Sequence, residues 1–465
     1  MNRTFALVRP VAASTRPLGY FLGSLLLASN FLWSATPAPP SKYVIDLALG
    51  TSMAPLAAKY GFTVLRSWKE PSEIDYSVST PAPLSKAVLG SLAAERGVVH
   101  VEADAEFHTS ETETSSKIKL PKLETLGDVM ANRSIVNFAN NRVLSIYADQ
   151  PGISIVHARE ASKAFGGYGK VVAIVDTGVD FMHPALHGAL LPGFDFTRDS
   201  ALTVSELNDL DPATRHALQQ STVEFLDSKE FVPILQQSTV EFLDQSTVEF
   251  LDGKGLPSAF GHGTMVAGLV HLVAPYAKIM PLKAFHADGS ASLFDIARAI
   301  RYAADQGADV ISMSFSYPSD SLVLKDAIVY AQTRGSLCIS SSGNAGKNTL
   351  VYPASYPEVI GVGSTNFSDK RSPFSNFGNS ARTAAPGEAL ITLFPGGNYA
   401  AVWGTSFSTA LVSGATGMMR FLAPNMRSGS LQDALDRGQP VDLDMGDARL
   451  DVLKSLTWCS HESYH

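Results

Sequence analysis

The chain reads as an α/β protein: a mainly parallel sheet buried between helical layers, preceded by a small α+β domain. Three observations predict this. Val171-Val172-Ala173-Ile174-Val175 and Leu337-Cys338-Ile339 are continuous apolar runs, the pattern of strands buried on both faces. The stretches after Gly261 and Gly404 are runs of small and apolar residues that suit buried helices. Residues 41 to 107 are different in kind. Lys42-Tyr43-Val44-Ile45-Asp46-Leu47 reads as a strand, Ala54 to Tyr60 as a helix, and Val98 to Asp104 as an alternating, closing strand.

The 465 residues suffice for one large and one small domain. A hydrophobic content of 45% with 17% charged residues suits a packed globular protein. The net charge of −8 and the lack of a basic stripe argue against a nucleic-acid partner. Cys338 and Cys459 are too few for a disulfide framework, and Cys338 is expected in the core. No metal-ligand spacing is evident. In residues 1–40, Arg3, Arg9 and Arg16 precede an apolar stretch of 16 residues from Leu18 to Trp33, followed by Ser34-Ala35-Thr36-Pro37-Ala38. That is short for a spanning helix. Secretion is the first expectation and a retained N-terminal membrane anchor the alternative. Residues 41–107 then form the small domain and 108–150 a linker or its end. Residues 151–458 form the large domain, and 459–465 a tail. Val143-Leu144-Ser145-Ile146-Tyr147 is a second candidate for the closing strand, which would make Thr109 to Lys119 an insertion or linker.

Asp176 ends the Val171–Val175 run and precedes Thr177-Gly178. In open α/β sheets, sites form outside the carboxyl ends of strands. A carboxylate there orients a histidine and stabilises its imidazolium. Asp-Thr-Gly is also half of the aspartic protease pattern, but no second Asp-Thr-Gly or Asp-Ser-Gly occurs. His262, in Gly261-His262-Gly263-Thr264, opens a helical segment whose glycines, with Gly268, permit close packing. Ser406, in Gly404-Thr405-Ser406-Phe407-Ser408, starts another. Nucleophilic attack creates an oxyanion, which the positive end of a helix stabilises. The Leu337–Ile339 strand leads through Ser340-Ser341-Ser342 into Gly343-Asn344-Ala345-Gly346. Taken singly, these are a turn Asp, a structural His, an N-cap Ser and a Gly-Asn turn. Together they supply an acid, a base and a nucleophile.

The order Asp, His, Ser is that of subtilisin, distinct from chymotrypsin and from α/β-hydrolases. From about residue 150 onward the chain resembles a subtilisin-like serine protease, a subtilase of the peptidase S8 family. Tyr352-Pro353-Ala354-Ser355-Tyr356-Pro357, Val359–Gly363, Phe374-Ser375-Asn376-Phe377-Gly378, Ala385-Pro386-Gly387 and Arg449-Leu450-Asp451-Val452 extend the resemblance in the right order. It implies a three-layer α/β/α subtilisin-like domain with a mainly parallel sheet, preceded by a small α+β ferredoxin-like prodomain. It implies a serine endopeptidase made as a zymogen, with Asp176, His262 and Ser406 as the triad. Asn344 and the Ser406 backbone N–H become the oxyanion hole. Ser314, Phe315 and Ser316, ending the strand from Val310, become substrate-binding residues. The implied partners are polypeptide substrates and the chain's own propeptide, as intramolecular inhibitor and chaperone, around a monomer. No cofactor is required; a structural calcium ion is compatible with the family, and its ligands are not assignable here.

Four departures stand out. Met265 and Leu411 replace histidines usual in the family. Ala410 replaces its usual Pro, leaving more room near Ser406 and shifting the balance between water and amines that attack the acyl-enzyme. Phe315, Ser316 and Tyr317 stand where small residues are frequent, and their bulk is expected to narrow the pocket for the residue before the scissile bond. Asp176 and His262 are 86 residues apart, with an insertion over about 200–255 in which Ser-Thr-Val-Glu-Phe-Leu-Asp occurs three times, at 221–227, 238–244 and 246–252. Offsets of 17 and 8 give no solenoid period. Glu three residues after Ser in each copy predicts a capped short helix. The insertion reads first as surface elaboration by duplication and second as a lid. The rival functions are a pseudoprotease that binds peptides or a partner, and a transpeptidase or ligase on the same scaffold.

Overall fold

The computed structural model describes residues 41–70, 73–110, 134–216, 218, 240–242, 256–441 and 444–462. The leader-like segment and two repeat copies, 221–227 and 246–252, lie outside these. Among the described residues no helix is long and apolar enough to cross a membrane.

The N-terminal module runs β1 (Ser41–Ala48), α1 (Met53–Tyr60), β2 (Thr63–Lys69), β3 (Glu73–Thr80), α2 (Lys86–Ala93) and β4 (Val98–Ala103). Its strands form one antiparallel sheet in the order β2-β3-β1-β4, the ferredoxin-like arrangement. Alternation along β1 explains how the module sits. Tyr43, Ile45 and Leu47 pack with Met53, Leu56 and Leu92 of its own helices, while Val44 enters a cluster of the large domain. Local signals start and stop α1: the Ser52 side chain accepts from the Ala54 N–H, and Gly61 ends it at φ 72°. Val98–Ala103 is the closing strand, because it pairs with β1. The rival candidate instead contributes β7 (Asn141–Leu144), which forms a hairpin with β6 (Ile135–Phe138).

The large domain is built on β8 (Val171–Asp176), β9 (Phe194–Asp195), β11 (Lys278–Lys283), β13 (Val310–Met313), β15 (Leu337–Ser341), β16 (Val359–Thr365), β17 (Thr383–Pro386), β20 (Gln439–Pro440) and β21 (Ala448–Arg449). They form a nine-stranded sheet in the order β20-β21-β17-β16-β15-β13-β8-β11-β9. Every neighbouring pair is parallel except β20 with β21. The period of two splits the apolar run of β8 between two cores. Val172 and Ile174 pack with α4 (His262–Val273) and α7 (Thr405–Leu422). Ala173 and Val175 pack with α5 (Leu293–Asp305) and α6 (Leu322–Thr333). Burial on both faces is why this strand needs no polar positions.

The N-terminal module lies on α5 and α6, whose N-termini it caps. The Glu102 carboxylate accepts from the Leu322 and Val323 N–H groups and from the Ser321 hydroxyl, at 3.1 to 3.4 Å. Asp104 accepts from the Phe294 N–H at 3.2 Å. Both carboxylates sit where helix dipoles favour negative charge. The middle repeat copy corrects the expectation of a short helix. Its Val240–Phe242 is strand β10, added antiparallel to β19 (Asn398–Val402) of the hairpin that β19 makes with β18 (Leu390–Phe394). Val and Phe favour extended backbone, and an open sheet edge offers more hydrogen bonds than one capping box.

Candidate active site

Asp176 is the last residue of β8, His262 the first of α4, and Ser406 the second of α7. The carboxyl end of β8 thus meets the N-terminal ends of two helices, α4 directly and α7 through Phe407. Asp176 and His262 are each 2% exposed, and Asp176 Oδ1 lies 2.7 Å from His262 Nδ1. The Thr177 N–H donates to the same carboxylate oxygen at 2.7 Å. The approach depends on Gly263: a Cβ there would lie 2.0 Å from the Gly178 carbonyl oxygen. The His262 ring centroid is 5.7 Å from that of Phe407, next to Ser406.

Gly404, and not Ser406, occupies the cap position of α7, without a side-chain cap. Ser406 is fully buried, and its hydroxyl donates to the Ser314 carbonyl at 3.3 Å. Asn344 is turned by its neighbours. Its Oδ1 accepts from both the N–H and the hydroxyl of Thr405, each at 2.9 Å. The amide nitrogen is thereby aimed away from Thr405, and it donates to the Ser110 carbonyl at 3.1 Å.

That carbonyl stands one residue beyond the end of a short strand. β5 (Glu106–Thr109) runs between β12 (Ser290–Ser292) and β14 (Phe315–Ser316), antiparallel to both. Of the predicted residues, Ser314 accepts from the Ser406 hydroxyl through its carbonyl, and Phe315 and Ser316 form β14 against β5. The aromatic bulk has a partner within the chain. Phe107 of β5 stacks on Tyr317 at 4.4 Å between ring centroids and meets Phe315 edge-on at 6.1 Å. The Ser110 side chain instead faces the Ser341 hydroxyl at 2.7 Å. The aromatic bulk therefore meets a residue three positions before Ser110.

One group escaped the sequence reading. Glu206, fully buried, accepts from the Thr177 hydroxyl at 2.8 Å and from the Thr264 hydroxyl and N–H. The Gly263 N–H donates to the Thr177 hydroxyl at 2.9 Å, and the Asp180 N–H to the Thr264 hydroxyl at 2.8 Å. Glu206 thus clasps the residue after Asp176 to the helix that starts with His262. Burial pushes its carboxyl up to about 8, against the hydrogen bonds and the Lys283 charge that lower it. Lys283, itself buried, donates to the Thr177 carbonyl at 2.6 Å and to Asp209 at 2.7 Å. No local motif announces Glu206, which lies in the insertion far from either partner in sequence.

Residues 167–441 match the Subtilase family, Peptidase S8. The chain belongs to the subtilase family. It is 31% identical over 291 residues to thermitase of Thermoactinomyces vulgaris, covering 60% of this chain and 84% of that protein. It is 30% identical over 264 residues to a thermophilic serine proteinase of Bacillus sp. (strain AK1), covering 55% of this chain and only 53% of that one. Its fold is similar to the crystal structure of fervidolysin from Fervidobacterium pennivorans, described as a keratinolytic enzyme related to subtilisin. The TM-score is 0.63 at 20% identity, over 90% of this chain and 61% of that one.

The subtilase resemblance leaves room for calcium. Among the described residues, Asp46, Glu73 and Asp75 bring carboxylate oxygens within 4.8 Å of one another. Arg301 already fills that place: its guanidinium pairs with Glu73 at 2.8 Å and Asp75 at 2.6 Å. The cluster does not fit a calcium site as folded. Ala410 of this subtilase is buried within α7.

Proposed function

We propose that this subtilase is a serine endopeptidase made as a zymogen, and that its N-terminal module is the inhibitory propeptide. The carrying observation is the Ser110 carbonyl, which stands one residue beyond β5 and accepts from the Asn344 amide. His262, with Nδ1 committed to Asp176, takes the Ser406 proton through Nε2 and later returns it to the leaving amine. This requires the Ser406 hydroxyl to turn from the Ser314 carbonyl to the imidazole. Asp176 holds the tautomer and stabilises the imidazolium. Asn344 and the Ser406 N–H stabilise the oxyanion. An acyl-enzyme forms on Ser406, and water resolves it.

The substrates are polypeptides bound as extended strands between β12 and β14, a mode in which backbone pairing supplies affinity over many sequences. The same reading has the enzyme act outside the cytoplasm, which fractionation of producing cells tests.

The first test is casein cleavage by purified protein, before and after removal of the N-terminal module, beside Ser406→Ala. Cleavage by wild type alone is the expected result. No cleavage, with no fluorophosphonate labelling of the processed wild type, would instead favour a peptide-binding pseudoprotease.

A further inference from the structure

We propose that a cavity at the amino end of the parallel sheet, lined by the buried His271 and the exposed Lys278, is a binding site for a small oxyanion, a carboxylate or a phosphate. The inference goes beyond the endopeptidase reading and does not rest on it. Lys278 pairs with Val171 at the start of β8, and Lys283 with Asp176 at its end. Five residues of strand, roughly 16 Å, therefore lie between the level of the cavity and that of Asp176.

His271 carries the argument. It lies in the last turn of α4 and is 1% exposed. Neither of its ring nitrogens has a hydrogen-bond partner among the described residues. Buried polar atoms nearly always have one. The buried His183 shows the ordinary arrangement: Nε2 faces the Asn398 carbonyl at 3.0 Å, and Nδ1 accepts from the Ala185 N–H at 3.2 Å. Against His271 the neighbouring ring is Phe138, edge-on at 5.5 Å between centroids, which has no polar atom to offer. The His271 ring also lines a cavity of about 430 Å³. Burial, and behind it the His183 and Lys278 charges, pushes the imidazole down to about 4. At neutral pH the ring is therefore uncharged and carries one N–H. With neither nitrogen committed to the protein, either tautomer is open, and the N–H can face the cavity.

The other lining groups select the sign of the ligand. The chain carries a net charge of −8, yet no aspartate or glutamate lines this cavity, while Lys278 and His187 do. The Lys278 ammonium donates to the Gly188 carbonyl at 2.5 Å, which occupies one of its three N–H bonds. The carbonyl end of α4 works against an anion, but it amounts to about half a charge against the full charge of Lys278. Two elements shape the walls. The turn between β6 and β7 places Ala139 and Asn140 there at φ 47° and 67°. Tyr168 and Tyr276 stack at 4.3 Å between centroids. An ammonium and an imidazole N–H on one cavity match the oxygens of a carboxylate or a phosphate. A cation would meet the Lys278 charge, and an apolar guest would leave both His271 nitrogens unpaired.

The test uses the full chain carrying Ser406→Ala, titrated with sodium phosphate and with sodium acetate at an ionic strength held constant by chloride. Calorimetry should show saturable binding of at least one of the two ions. Tighter binding of phosphate assigns phosphate groups as the ligand, and tighter binding of acetate assigns carboxylates. Lys278→Met should weaken binding about 10- to 100-fold, the worth of one charge-assisted hydrogen bond. His271→Phe keeps an aromatic ring and removes the N–H, and should weaken it about 3- to 10-fold. Position is read from the histidine ring nitrogens by NMR of isotope-labelled protein. The His271 signals, identified by their absence in His271→Phe, should move at saturation while those of His183 stay. Lys278 is exposed, so its variant keeps the test decisive if His271→Phe does not fold. No saturable binding of either ion, or an affinity unchanged in Lys278→Met, overturns the inference. So does saturation that leaves the His271 nitrogens unmoved. Each of these results leaves the endopeptidase reading intact.

Discussion

In the proposed mechanism Asn344 and Glu206 serve different steps, Asn344 beside the start of the Ser406 helix and Glu206 behind the Asp176–His262 pair, and substitutions separate them. Asn344→Ala removes a donor aimed at the carbonyl where charge develops. Turnover should fall about 100- to 1000-fold with little change in KM, a magnitude taken from a subtilisin. Steady-state kinetics on a peptide substrate would show it, and a loss confined to KM would argue against the oxyanion role. Glu206 touches no substrate; it positions the Asp176 turn against the His262 helix. Its carboxyl, raised to about 8 in the folded protein, ordinarily ionises near 4.5. Between those values the folded state holds a proton that the unfolded state has lost, so stability falls as pH rises from about 4.5 to 8. Glu206→Gln keeps a hydrogen-bonding amide and cannot titrate, so its stability should decline less over that window. Glu206→Ala strands two threonine hydroxyls and should cost about 1–3 kcal/mol below about pH 4.5, a cost that shrinks as pH rises toward 8 because alanine has no proton to lose. Thermal unfolding in a Ser406→Ala background, which prevents self-digestion, measures all three. Parallel pH curves for wild type and Glu206→Gln would sink the assignment.

At the level of elements, what was legible follows from how local the signal is. The β8 run, the glycine-flanked His262 and the small-residue α7 each carry their chemistry within a few residues, and the structure brings the end of β8 to the starts of both helices. β5 is the contrary case. Glu-Phe-His-Thr has a single large apolar residue and pairs with strands almost two hundred residues away, so nothing nearby marks it as a strand. The bulk at Phe315 and Tyr317 was visible in the sequence, but its partner Phe107 was not. β10 shows a local rule losing to tertiary pairing: the capping pattern is present, yet the β19 edge takes the segment. The caps that β4 and its following residue place on α5 and α6 make a further prediction. Glu102→Ala leaves the first N–H groups of α6 without that acceptor and should destabilise docking of the N-terminal module by about 0.5–2 kcal/mol. Limited proteolysis of the Ser406→Ala chain should then release the module faster, with the remaining domain still folded. An unchanged digestion rate would mean that the cap contributes nothing to docking.

Over the whole molecule, the contact between module and core holds a cluster of buried carboxylates around Arg301, and this sets how it responds to pH. Arg301 of α5 reaches Glu73, Asp75 and Asp326, and Asp46 lies in the same cluster with neither oxygen hydrogen-bonded among the described residues. One guanidinium faces more carboxylates than it can neutralise. Burial first, and then the neighbouring Asp75, push Asp46 up to about 9. Burial likewise pushes Glu70 up to about 7, and Asp75 and Asp104 to about 6. All four lie in or just after the module's sheet, and release into water returns each toward its ordinary range near 4. The docked state therefore holds protons that the released state gives up, and docking must weaken as pH rises. Below about pH 4 both states are protonated and the effect is flat. From 4 to 6 all four groups contribute. Above 7 the slope is left to Asp46, up to about tenfold in docking affinity per pH unit, ending near 9. Amide exchange across β1 and β4 of the Ser406→Ala chain, corrected for intrinsic rates, measures this. Protection should fall between pH 7 and 9, and Asp46→Asn, which has no proton to lose, should flatten that fall. Arg301→Ala should weaken docking throughout, because it leaves buried carboxylates unpaired at a cost of about 3–5 kcal/mol. Protection independent of pH in the wild type would mean that the cluster keeps its charge state on release. Module and core would then separate for reasons other than proton loss.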